Sequence, residues 1–230
     1  MNASSRQLPL ALRYPADQRL EAFVAPPPGA IAQLHALLAG GEWVYLAGAP
    51  ATGKTHLALG LCAAAEAAGR SAHYLPLAAL AGRLGDALPM PQAHAVYALD
   101  GVDGVAARRE DEIALFDFHN AARGAHAGVL YTGNAIPDAL GLGLPDLRSR
   151  LSQLTRIVLQ PADDATRARI LRLRAERRGI LFDEAAIDWL LKRVGRDLGS
   201  LTRLFEMLDR ESLAAQRRLT VPFLRQLLGG

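Results

Sequence analysis

The sequence predicts an α/β protein: a parallel sheet with helices on both faces, followed by a smaller all-helical domain. Three observations predict it. Short apolar strand candidates alternate with helical stretches as far as Leu159, and that alternation builds parallel sheets, since each strand returns through a crossover helix. A glycine-rich loop joins the first strand to the first long helix. Beyond Pro161 only helical patterns remain.

Residues 1–18 are a short polar and proline-containing tail ending in Tyr14-Pro15-Ala16-Asp17, and Pro26-Pro27-Pro28-Gly29 punctuates the entry to the first helix. Ile31 to Leu38 carries helical periodicity. Trp43 to Ala47 is an apolar run closed by Gly48, the pattern of a buried strand. A helix is expected from Lys54 to Ala68, stopped by Gly69. Ser71 to Leu75 reads as the second strand, Leu77 to Leu88 as helix, and Ala95 to Leu99 as the third strand. Glu110 to Arg123 reads as helix, with Glu110, Asp111 and Glu112 in its first turn, where the macrodipole favours negative charge. Gly128 to Thr132 and Arg156 to Leu159 complete five strands. Asp164–Arg178, Asp183–Val194, Ser200–Gln216 and Val221–Leu228 are the later helices, with Gly179 and Gly195 as stops and Asp183 and Thr220 as N-caps. The expected units are a tail at 1–18, an α/β domain at 19–161 and a helical domain at 162–230.

Composition narrows the class. Half of the 230 residues are hydrophobic and the net charge is +3, which excludes a disordered chain and allows a sizeable core. The basic residues are nearly all arginine, and the surplus is a mild attraction towards polyanions. Cys62 is the single cysteine, so no intrachain disulfide is possible. No signal peptide is visible in Met1 to Leu12 and no run approaches the ~18 apolar residues of a membrane span, so a cytoplasmic protein without a membrane partner is expected. The six histidines show no metal-ligand spacing. Trp43 and Trp189 read as core, and the arginines from Arg167 to Arg178 wind around their helix and read as a solvated face.

Gly48-Ala49-Pro50-Ala51-Thr52-Gly53-Lys54-Thr55 fits G-x-x-x-x-G-K-[ST], with a strand before it and a helix after. The glycines let backbone N–H groups turn inward around phosphate oxygens, and the helix N-terminus adds positive potential. Lys54 is expected on the β- and γ-phosphates and the Thr55 hydroxyl on Mg²⁺. His56 follows directly and is grouped with this loop. Val96-Tyr97-Ala98-Leu99-Asp100 is an apolar strand ending in a carboxylate, which in phosphate-loop proteins helps hold Mg²⁺ through water. A nucleotide with Mg²⁺ is therefore the expected ligand.

Three further stretches resemble one family. Gln7-Leu8-Pro9-Leu10-Ala11-Leu12 looks like the sliding-clamp-binding peptide of the Hda family. Leu142-Gly143-Leu144-Pro145-Asp146-Leu147-Arg148-Ser149-Arg150-Leu151 resembles the segment of Hda and DnaA proteins that carries an arginine finger. Leu208 to Phe223 is similar to the C-terminal helices of Hda. The resemblance implies an AAA+ phosphate-loop fold with a five-stranded parallel sheet and a helical lid. It also implies a regulator that binds nucleotide and docks on the DNA-loaded clamp, the β subunit of DNA polymerase III. Such a regulator provokes hydrolysis of the ATP held by DnaA and so switches off replication initiation. Gln7, Leu8, Leu10 and Leu12 would contact the clamp, Arg150 would act in trans on the partner's nucleotide, and DNA would be reached indirectly through the clamp. The family analogy suggests ADP as the working ligand; a homo-oligomer stays open.

The chain departs from the wider AAA+ pattern in two places. Hydrolysing members carry a second carboxylate directly after the first, and here that position is Gly101, with Asp103 two residues on. Weak intrinsic hydrolysis is expected. The lid position of the phosphate-contacting sensor 2 arginine aligns with Gly199, and Arg196 and Arg203 are its neighbours. Asn134 takes the sensor 1 position after the fourth strand. The competing function is a free-standing AAA+ ATPase that loads or remodels replication proteins; a sequence-specific DNA-binding factor is disfavoured, because no helix-turn-helix unit is visible.

Overall fold

The computed structural model describes residues 19–194 and 198–229. Gln7, Leu8, Leu10, Leu12, Gly195 and Arg196 lie outside the described residues.

β1 (Val44–Ala47), β2 (Ala72–Pro76), β3 (Val96–Asp100), β4 (Gly128–Gly133) and β5 (Thr155–Val158) form one parallel sheet in the order β2-β3-β4-β1-β5. Successive strand residues face opposite sides. Tyr45, Tyr97, Leu99, Val129 and Tyr131 enter one core with α5 (Arg109–Gly124) and α6 (Pro145–Ser152). Val44, Leu46, Val96, Ala98, Leu130 and Ile157 enter the other with α1 (Ala30–Leu38) and α2 (Lys54–Ala67). Burial on both faces is why β1, β3 and β4 read as largely continuous apolar runs. Leu57 and Leu61 fasten α2 to the sheet, and each fully buried leucine stabilises the fold by about 2 kcal/mol.

The helix expected over Leu77–Leu88 is two short pieces, α3 (Leu77–Leu80) and α4 (Leu84–Ala87). Gly82 breaks it at φ +82°, and the buried Asp111 carboxylate accepts from Gly82 N at 2.7 Å and Leu84 N at 3.1 Å. A remote carboxylate thus replaces the missing intrahelical bonds, which local periodicity does not reveal.

The C-terminal helices α7 (Asp164–Arg178), α8 (Glu184–Leu191), α9 (Leu198–Ala215) and α10 (Val221–Leu228) form a lid with its own core. Leu171, Ile187, Leu190, Phe205, Leu208 and Leu224 build it. Asp163 caps α7 by accepting from Thr166 N at 2.7 Å, and Thr220 caps α10. Gly179 ends α7 in the left-handed conformation, as expected. Asp183 takes the N-cap position of α8 as expected, but its side chain makes no capping bond and pairs with Arg218 at 3.2 Å instead. Arg167 departs from the solvated face expected of it: it is 1% exposed and donates to Asp164 at 2.9 Å and to Val194 O. Trp43 is buried and Trp189 half-buried under Arg193. Among the described residues no helix is long and apolar enough to cross a membrane.

Candidate nucleotide site

The carboxyl ends of β1, β3 and β4 come together where the phosphate loop leaves β1, the edge at which open parallel sheets bind ligands. The loop is tightly built. A Cβ on Gly48 would stand 2.7 Å from Thr52 Oγ1 and 2.8 Å from Leu159 O. Gly53 is at φ +99°, and its missing Cβ leaves room for the Phe23 ring. Thr52 Oγ1 donates to Ala49 O at 2.9 Å, and Lys54 Nζ donates to Gly48 O at 2.6 Å and Ala49 O at 2.9 Å. Burial lowers the Lys54 pKa, opposed by the negative charges of Asp103 and Asp100. Ala49 and Pro50 lie exposed on the outside of the turn, while Ala51 to His56 line a cleft of about 820 Å³.

That cleft lies between the body and the lid. Its body wall is the segment from Ala22 to Pro28, and its lid wall includes Ile170, Leu173 and Thr202. Phe23 packs edge-on to His56 at 5.4 Å, and His56 Nε2 lies 3.1 Å from Arg19 O. Three lid cations, Arg174, Arg177 and Arg203, line the same cleft beside Gly199. Arg203 donates to Ser200 Oγ at 2.9 Å. Of the two arginines near the sensor 2 position, Arg203 is thus placed in the cleft and Arg196 lies outside the described residues. Arg174 and Arg177 were expected on a solvated face; they join the cleft because the lid folds that side of α7 over the phosphate loop.

Asp100 gathers hydroxyls. Its Oδ2 accepts from Thr55 Oγ1 at 2.7 Å and Tyr74 OH at 2.8 Å, and its Oδ1 accepts from Thr132 Oγ1 at 2.5 Å. Burial, together with Asp100, pushes the Tyr74 phenol pKa up. Tyr74 and Thr132 were missed by sequence reasoning. The available signal was a polar group near the carboxyl end of an otherwise apolar strand. β4 lies beside β3 with Leu99 opposite Tyr131, so Thr132 falls next to Asp100. The hydroxyl of Thr55 beside the Asp100 carboxylate is a pair of hard oxygen ligands of the kind Mg²⁺ takes, so the donor set fits that ion.

Asn134 is not joined to Asp100. It donates from its backbone N to Asp103 Oδ1 at 2.9 Å and from Nδ2 to Oδ2 at 2.7 Å, occupying both oxygens of the nearest spare carboxylate. Gly101 is at φ +87°, a left-handed conformation in which a side chain is strained, and its N–H donates to Thr132 Oγ1 at 2.9 Å. The backbone itself thus disfavours an acidic residue at this place.

Arg150 is exposed in the last turn of α6. It lies outside the cleft lining, and among the described residues it makes no ion pair. Leu147 and Leu151 bury the opposite side of the helix. Arg148 is also exposed.

Comparison with known proteins finds one family model similar to the lid and a shared fold for the whole. Residues 164–228 match the family model described as Hda, lid domain. Domain III of the replication initiation protein DnaA from Thermotoga maritima superposes with a TM-score of 0.75 at 19% identity, covering 94% of this chain and 97% of that one. AMPPCP-bound DnaA from Aquifex aeolicus gives 0.67 at 19%, covering 89% and 71%. The Thermotoga maritima RuvB Holliday junction branch migration motor gives 0.64 at 19%, covering 93% and 71%. At these identities the likeness shows the AAA+ fold.

Proposed function

We propose that the chain, whose residues 164–228 match the Hda lid-domain family model and whose fold is similar to that of DnaA domain III, is a clamp-tethered regulator that stimulates hydrolysis of DnaA-bound ATP. The observation that carries this reading is the position of Arg150: a cation exposed on α6, outside the chain's own nucleotide cleft. A guanidinium so placed serves a neighbour's nucleotide better than its own.

Adenine nucleotide occupies the cleft, with Lys54 and the amides from Ala51 to Thr55 on its phosphates and Arg174, Arg177 and Arg203 facing it from the lid. Thr55, and Asp100 through water, would hold Mg²⁺, which would neutralise phosphate charge. Gly48 closes the loop, and Ala49 and Pro50 shape its outer turn. Asn134 acts on this site through Asp103. Turnover of the bound nucleotide is weak, because Gly101 offers no base and Asp103 is engaged by Asn134. The bound nucleotide, ADP in the working form, holds body and lid together. Gln7, Leu8, Leu10 and Leu12 tether the chain to the clamp on DNA in the cytoplasm. Arg150 then supplies positive charge where negative charge spreads over the transferring phosphoryl group of DnaA's ATP. The body 19–161 and the lid 162–230 act as one nucleotide-bound unit in this scheme.

The test is ATP turnover by the isolated protein, by DnaA alone, and by both on clamp-loaded DNA. The reading requires little turnover from the isolated protein and a large increase when all components are present. Vigorous turnover by the isolated chain, unchanged by DnaA, would assign it to the free-standing ATPases instead.

A further inference from the structure

The start of α6 is held from another helix. Leu144, the residue before it, provides no side-chain cap. The nearby amides find their acceptor on α5. Glu112 is 1% exposed; its Oε1 accepts from Ala107 N at 2.7 Å and Gly143 N at 3.0 Å, and its Oε2 accepts from Leu144 N at 2.6 Å. Gly143 and Leu144 immediately precede Pro145, the first residue of α6. Ala107, at φ +62°, belongs to the loop beyond Asp100 and Asp103. One buried carboxylate therefore joins the loop beyond the acidic strand end to the helix that carries Arg150. At the far end of α6 the corresponding tie is an exposed contact, Ser152 Oγ to Asp138 Oδ1 at 3.2 Å.

We propose that Glu112 is the positioning residue for Arg150, a buried clasp that fixes the start of α6 so that the guanidinium is presented in one place. This rests on Arg150 being the cation donated to the partner's nucleotide. α6 has only eight residues, and Leu147 and Leu151 hold its underside. With its start released, so short a helix pivots on those two leucines and carries Arg150 with it. Displacement of a reacting group by about 1 Å can cost about 100-fold in rate. Both charge and shape matter at position 112. Three N–H donors point at two carboxylate oxygens, and no proton donor is needed. An amide has one acceptor oxygen, so whichever way a glutamine is turned its NH₂ faces an N–H. Glu112 is buried and outside the cleft lining, and it acts through the helix.

The experiment compares Glu112→Gln with Arg150→Ala in the full chain, using DnaA-bound ATP on clamp-loaded DNA. For Glu112→Gln the maximal stimulated rate falls by about 100-fold. ADP affinity and the concentration giving half-maximal stimulation stay those of the parent. The amides of Gly143 and Leu144 lose protection from hydrogen exchange. A general loss of folded protein would instead move the half-maximal concentration, or ADP affinity, and either result overturns the positioning role. Full stimulation by Glu112→Gln beside an inactive Arg150→Ala overturns the role of Glu112 alone. Full stimulation by Arg150→Ala overturns it together with the reading it rests on. Should Glu112→Gln lack a cooperative melt, Glu112→Asp keeps the charge, shortens the reach and is read by the same outcomes.

Discussion

Thr55 donates its hydroxyl to Asp100 Oδ2 at 2.7 Å, joining the first turn of α2 to the end of β3 across 45 residues of sequence. This contact makes the Mg²⁺ reading testable. Asp100→Asn removes the charge and leaves the fold intact, because the surrounding hydroxyls of Thr55, Tyr74 and Thr132 can rotate to accept as well as donate. The part of nucleotide affinity that depends on Mg²⁺ is lost. Titrations of ADP with and without Mg²⁺ check this, and an unchanged Mg²⁺ dependence in Asp100→Asn would remove Asp100 from the metal site.

Lys54→Ala weakens adenine nucleotide binding by about 10- to 100-fold, since hydrogen bonds to a charged group are worth about 1.5–3 kcal/mol and each 1.4 kcal/mol is tenfold. Burial already disfavours the Lys54 charge in the protein, so its removal leaves the thermal midpoint close to the parent's. Calorimetric titration with ADP is the measurement. Parent-like affinity in Lys54→Ala would refute the phosphate-loop assignment.

His119 gives the fold a pH dependence. It is 1% exposed, stands edge-on to Trp43 at 4.8 Å, and its Nδ1 lies 3.2 Å from Tyr131 OH. Burial, followed by the nearby charges of Arg123 and Arg150, lowers its pKa from 6.5 to about 4. Above pH 6.5 the histidine is neutral folded or unfolded and has no effect. As pH falls from 6.5 to about 4, the unfolded chain takes a proton that the folded chain refuses, so stability drops by about 3 kcal/mol. His119→Gln lacks this component. Urea unfolding of both proteins at pH 7 and pH 4.5 reads the difference, and identical pH slopes would contradict it.

Removing residues 1–12 abolishes capture by the DNA-loaded clamp and leaves the thermal midpoint unchanged, because short tail peptides bind through a few anchors, here Gln7, Leu10 and Leu12. A pull-down on immobilised clamp decides it; undiminished capture of the truncated chain would place the clamp contact elsewhere.

Local pattern carried the sheet and the phosphate loop. The central strands β1, β3 and β4 are buried on both faces and therefore apolar along most of their length, and Gly48, Gly53 and Lys54 stand at a spacing that one loop geometry demands. What escaped the sequence depends on contacts between distant residues. Asp111 and Glu112 read as first-turn helix acids, yet both are buried and bind backbone amides about 30 residues away. Tyr74 and Thr132 meet Asp100 only because β2 and β4 flank β3. Arg174 and Arg177 line the cleft beside the phosphate loop only because the lid closes over that loop. In each case the residue type is ordinary for its element and tertiary structure supplies the role.

The trans-acting role of Arg150 is tested most directly by hydrolysis of DnaA-bound ATP on clamp-loaded DNA, with Arg150→Ala in place of the parent and Arg148→Ala as control. Arg150 and Arg148 share α6 and are both exposed, but residues two apart on a helix point in different directions. Arginine fingers are worth about 10³ to 10⁵ in rate, or about 4 to 7 kcal/mol of transition-state stabilisation. Arg150→Ala is expected to lose stimulation on that scale while keeping ADP and clamp binding, and Arg148→Ala to stimulate like the parent. Full stimulation by Arg150→Ala, or an equal loss in both variants with the fold intact, would contradict the trans-acting mechanism.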